Sequence, residues 1–168
     1  MFVTAAVGIV AAAAVPQMNA AIEHTRTIAA ARYLSARLGS ARAQAVGRSA
    51  NVALLLTVTA QGTTVGMYAD GNGNGVRTRE ITMGVDPATA APMRLDVQFP
   101  RVILSFSDPP DATTSVLMSF TPLGTSSSGT LYLRGRDGSR YAVRVLGGTG
   151  RTRVLRYEAK SRTWVEVL

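Results

Sequence analysis

The chain has 168 residues, 46% of them apolar and 17% charged, enough apolar surface for one domain with a buried core and an appendage. Eighteen basic residues stand against ten acids, a formal net charge of +8, which points to anionic partners such as nucleic acid or a lipid surface. The lack of cysteine excludes disulfides, thiolate zinc sites, iron–sulfur clusters and cysteine nucleophiles, and the one histidine, His24, leaves no imidazole cage for a metal and a single base for any triad.

Residues 1–16, MFVTAAVGIVAAAAVP, carry no charge. About fifteen apolar residues precede Pro16, whereas a helix needs roughly 20 to cross a bilayer, and no basic segment stands before the run as a secretory signal requires. Helical composition continues to Gly47, with Ala31, Leu34, Leu38, Ala41 and Ala45 stepping by 3, 4, 3 and 4 along one face. The expectation is one long helix, apolar and membrane-inserting over 1–16 and amphipathic over 17–48. Its stripe of mostly small residues suits close packing on a sheet or on other helices. His24, beside Glu23, reads as a solvated residue of this helix and not as a catalytic base.

Over 51–168 the composition shifts to Val, Leu, Thr, Tyr and Gly, in short runs broken by turn residues about every ten positions. Strands are predicted over 52–59, 64–68, 95–99, 102–106, 116–120, 130–133, 141–146, 153–157 and 164–167. Turn chemistry separates them at 70–75, at the Asp108-Pro109-Pro110-Asp111 cluster and in the Ser-rich stretch 125–129. The fold class is therefore α+β, a long N-terminal helix packed on an antiparallel β domain. Catalysis finds no support: Asp108 and Asp111 are split by two prolines, Ser126 to Ser128 have no base partner by spacing, and the glycines of 147–150 lead into strand-like residues where a phosphate loop needs a helix.

The apolar run containing Gly8, then Val15-Pro16-Gln17, then a long helix entering a small β domain, resembles a type IV pilin or pseudopilin. Three further motifs resemble the GspH/FimT branch of minor pseudopilins: Tyr68-Ala69-Asp70-Gly71-Asn72-Gly73-Asn74-Gly75-Val76, Ser119-Phe120-Thr121-Pro122-Leu123-Gly124 and Thr149-Gly150-Arg151-Thr152-Arg153. The resemblance implies a non-enzymatic structural subunit of a type II secretion pseudopilus. It would be anchored once in the bacterial inner membrane, with its β domain in the periplasm and other pilin-like subunits as partners, and Gly8 and Pro16 would serve membrane insertion and assembly. The alternative is a DNA-binding minor pilin of a type IV pilus acting in DNA uptake. The Gly-Phe-Thr-Leu-x-Glu junction cut by a prepilin peptidase is absent from the chain, and spacing back from Gly8 and Pro16 puts its glutamate immediately before Met1. A start placed too late is expected, the other reading being a paralogue that cannot be processed. A basic leader there would also balance Arg26, Arg32, Arg37 and Arg42, which follow the apolar segment against the positive-inside rule.

Two polar clusters are candidate sites. Asp70, Asn72 and Asn74 alternate before Gly75 as the start of a calcium loop does, but position twelve is Ile81, with Glu80 one residue early. The same residues suit a tight turn with positive φ. The turn is the reading adopted; calcium is the one cofactor to consider. From Thr130 onward nine basic residues stand against three acids. In a strand, Arg151 and Arg153 share a face with Tyr157, and Gly150-Arg151-Thr152-Arg153 resembles the Gly-Arg-x-Arg motif of family members that bind DNA during uptake. Arg151, Arg153, Arg134, Arg144 and Arg156 are the candidate DNA contacts, limited to phosphate because nothing suggests base readout.

Overall fold

A computed structural model describes residues 2–167, and the side chains of residues 22–167. Helix α1, Phe2–Arg48, leads into β1, Val52–Thr59, and β2, Gly62–Ala69. Short α2, Thr78–Thr82, β3, Met93–Arg94, α3, Leu95–Gln98, and β4, Ile103–Ser105, follow. The chain ends with β5, Ser115–Phe120, β6, Gly129–Arg134, β7, Arg140–Leu146, β8, Arg151–Glu158, and β9, Thr163–Glu166. The first sheet has the order β3-β2-β1-β5 and the second β4-β6-β7-β8-β9, with every pairing antiparallel.

The helix packs on both sheets, through β1 and β5 of the first and β6, β7 and β8 of the second. Its predicted stripe is the contact: Ala31, Leu34, Leu38, Ala41 and Ala45 are all fully buried. Alanines let the backbone approach the strands, while Leu34 and Leu38 fill the space among Leu54, Leu56, Phe120, Leu131, Leu133 and Val143. A buried leucine of this kind contributes about 1.5–3 kcal/mol. The helix stops at Ser49, which takes φ 50°. The Ser49 and Ala50 N–H groups then cap the carbonyls of Val46 and Ala45, each at 3.3 Å, the paired bonds that end a helix through a left-handed residue.

Two expectations are corrected. Residues 95–99 do not form a strand, because the Asp96 carboxylate accepts from the Thr63 N–H at 3.0 Å and from Arg94 Nε at 2.9 Å. The segment thereby curls into α3, with Leu95 plugged into the core and Val97 turned to solvent. Glu23 is buried, its Oε1 accepting from Arg26 at 2.9 Å and Arg101 at 3.0 Å. Its neighbour His24 is half-exposed but tethered, with Nε2 3.2 Å from the Tyr141 hydroxyl and Nδ1 3.7 Å from Asp137. Among the described residues no helix is long and apolar enough to cross a membrane; Gly8, Pro16 and the rest of 1–16 lie outside the residues whose side chains are described.

Candidate functional site

Strand pairing decides which basic residues of the second sheet lie together. Its inner face is set by Leu131, Leu133, Tyr141, Val143, Val145 and Val154, all buried under the helix. Side chains alternate along a strand, so the outer face carries Tyr132 and Arg134 of β6, Arg140 and Arg144 of β7, and Arg151, Arg153 and Tyr157 of β8. The registers align these rows: Arg134 pairs with Arg140, Arg144 with Arg153, and Tyr157 with Trp164 of β9. Arg134, Arg144, Arg151 and Arg153 are thereby brought to one solvent-facing surface and are exposed. Arg153 spends part of its charge on Glu166 at 3.2 Å, whereas Arg144 and Arg151 have no ion pair among the described residues.

Arg156 does not join them. It pairs in register with Tyr141 and so has the parity of the inner face, and its Nη2 lies 3.0 Å from Glu158.

The outer face also holds an aromatic cluster. The Trp164 ring centroid lies 5.3 Å from that of Tyr157 and 5.7 Å from that of Tyr132. The Arg140 guanidinium carbon sits 3.5 Å over the Tyr157 ring, a cation–π contact that fixes the side chain without neutralising it. Beneath these rings Ala142 and Leu155, although on the outer face, are buried. Beside them a pocket of about 140 Å³ opens between Tyr132, Trp164, Ile103 and Pro110, with Arg134, Arg140 and Asp108 also lining it. Sequence reading missed Tyr132, Arg140 and Trp164. The signal available was their parity with Arg134, Arg144 and Tyr157 once the turns are placed.

The Gly150-Arg151 turn is held from behind. Gly150 takes φ 61°, and its N–H closes the turn on the Leu146 carbonyl at 2.7 Å. Arg42 of α1 donates from Nε to the Gly124 carbonyl at 3.0 Å, and Gly124 itself takes φ 77°. Two sequence motifs 25 residues apart in the chain thus meet over one helix side chain. Leu123, at the tip of the first, is 90% exposed.

In the Asp70 loop the carboxylate serves the backbone. Asp70 Oδ1 accepts from the N–H groups of Gly73 at 2.7 Å and Asn72 at 3.2 Å, and Oδ2 from Gly75 at 2.7 Å and the Asn51 amide at 2.9 Å. Burial pushes this carboxyl up, but the Asn51 amide and the three backbone donors outweigh it and hold the group below its ordinary value. Asn72 and Asn74 turn their amide nitrogens to Glu80, at 3.3 and 3.0 Å, and buried Asp86 caps the N–H groups of Gly71 and Arg77 at 3.1 and 2.9 Å. Among the described residues no three acidic or histidine side chains converge as a metal ion needs.

Residues 30–150 match the family model described as type II transport protein GspH. The chain belongs to the GspH family. The match covers α1 from Ala30, the first sheet and β4, β6 and β7 of the second, ending before β8, and the fold is pilin-like, as two solved structures illustrate. The minor pseudopilin EpsH from the type 2 secretion system of Vibrio cholerae is 11% identical with a TM-score of 0.54, over 78% of this chain and 97% of that one. The type IV minor pilin FimU of Pseudomonas aeruginosa is 16% identical with a TM-score of 0.54, over 84% and 94%. No curated protein matches the chain.

Proposed function

We propose that this GspH-family chain is a non-enzymatic minor pseudopilin, a structural subunit that assembles with other pilin-like subunits in a type II secretion pseudopilus. It would be anchored in the bacterial inner membrane with its β domain in the periplasm. The observation that carries the reading is the 47-residue helix α1, which packs on both sheets through the stripe from Ala31 to Ala45 in a chain matched to the GspH family over residues 30–150. The uncharged, alanine-rich sequence of residues 1–16 at the start of the same helix supports packing against other helices or in lipid, where small residues favour close approach. The chain would need no cofactor, and the Asp70 loop would act as a structural turn. Deleting the gene should abolish secretion of the system's exported proteins while leaving DNA uptake intact, and unchanged secretion would overturn the reading.

The outer face of the second sheet favours a second reading, a minor pilin that binds DNA. Arg134, Arg140, Arg144, Arg151 and Arg153 share that face, and arginine forks suit phosphate oxygens. Under this reading Arg156 is not a contact, since it has the opposite parity. DNA uptake lost in the deletion strain, with secretion intact, would favour it over the first.

A further inference from the structure

A pocket opens beside the arginines on the outer face of the second sheet. Its walls are the tilted rings of Tyr132 and Trp164, 5.7 Å apart by centroid, faced by Ile103 and Pro110. Its rim carries Arg134 and Arg140, the second held 3.5 Å over Tyr157 and 3.6 Å from Asp108. From that rim Arg144 lies four residues along β7, about 14 Å at the rise of a strand, and Arg153 is its cross-strand neighbour. The face thus joins a row of cations to an aromatic pocket of about 140 Å³, room for one planar ring.

We propose that this pocket receives an unpaired base of a single-stranded nucleic acid whose phosphates run along Arg140, Arg144, Arg153 and Arg151. The inference rests on the DNA-binding reading and adds the substrate class to it. A duplex offers phosphates and the groove edges of its bases but no free base face, because its bases are stacked and paired. A single strand offers both phosphates and free base faces, and stacking on aromatic side chains accepts any base. An acidic peptide would satisfy the arginines but brings no planar group at each charge. Asp108 and Ser105 at the pocket supply polar atoms for a base edge.

Trp164 is the only tryptophan of the chain, so its fluorescence reports the pocket directly. The full chain would be titrated at low salt with a thymine-containing 12-mer, the same backbone without bases, the matching duplex, and a glutamate-rich peptide containing tyrosine. The single strand should quench Trp164 and bind at least tenfold more tightly than the abasic strand, and the duplex should bind without quenching. Trp164→Phe should keep the preference for the single strand and Trp164→Leu should remove it, while Arg151→Ala/Arg153→Ala weakens single strand and duplex alike. Equal binding of single strand, abasic strand and duplex, with Trp164 unquenched, would overturn the pocket but leave the DNA-binding reading standing. No binding of any nucleic acid would overturn both, and quenching by the peptide alone would assign the pocket to a protein partner. The wild-type quenching result does not depend on any variant folding.

Discussion

Gly150 and Gly148 occupy the same turn between β7 and β8 but should respond very differently to alanine. A methyl group at Gly150 would overlap the Gly124 carbonyl oxygen and come within 3.0 Å of Cδ and Nε of Arg42, at a residue held at φ 61°. At Gly148 the added carbon meets nothing within 4 Å and the backbone is not left-handed. The left-handed conformation costs alanine about 1–2 kcal/mol. Pushing Gly124 from Arg42 weakens a charge-assisted hydrogen bond of about 1.5 kcal/mol. Against this, removing a glycine stiffens the unfolded chain and returns about 0.4–1 kcal/mol. Gly150→Ala should therefore lose about 2–3 kcal/mol, a fall in Tm of roughly 4–12 °C at this chain length, and Gly148→Ala should hold or slightly raise the Tm. Thermal unfolding of the two purified variants, followed by near-UV circular dichroism, reads the difference. Equal melting temperatures for the two variants would refute the packing of Gly150 on Gly124 and Arg42.

Leu38→Ala should cost about 2–5 kcal/mol, since the side chain is fully buried between helix and sheets, whereas Val97→Ala, at 67% exposure, should stay within about 0.5 kcal/mol in denaturant melts. Asp70→Ala should lower stability by about 1–2 kcal/mol, as loss of a side-chain cap does. Because the folded Asp70 carboxyl lies below its ordinary value of 3.8, its contribution is fully present above that pH and is lost as pH falls through the lower folded value. The gap between variant and wild type should accordingly close in acid. A calcium-induced rise in Tm that disappears in Asp70→Ala would instead assign Asp70, Asn72 and Asn74 to a cation. On duplex DNA, Arg151→Ala/Arg153→Ala should flatten the log–log salt dependence by about 1.8, roughly 0.9 for each phosphate contact removed, and an unchanged slope would place the phosphates elsewhere.

The parts legible in the sequence are those set by short-range periodicity. A helix repeats every 3.6 residues and a strand every two, so the buried stripe of α1 and the bounds of β1 follow from residues within a few turns of each other. The common face of Arg151, Arg153 and Tyr157 is legible for the same reason, and the ordered motifs from Tyr68 to Arg153 placed the chain in its family. Residues 95–99 misled because their apolar spacing suits a strand equally well, and only Thr63, 33 residues away, offers the N–H that Asp96 takes instead.

The composition of the site was decided by tertiary structure. Arg134 meets Arg140, and Arg144 meets Arg153, through hairpin registers, and a shift of one residue would send either partner to the core. Arg156 has the same charge and lies only three positions from Arg153, yet odd spacing gives it the other face. Tyr132 reaches Trp164, and Arg42 reaches Gly124 across 82 residues, only because two sheets close around one helix. Charge and residue type are carried by each position alone, so the sequence by itself determined that the chain is basic, α+β and free of thiol chemistry. Which arginines act together depends on strand order and register, energies summed over the whole domain, and these exist only once the chain has folded.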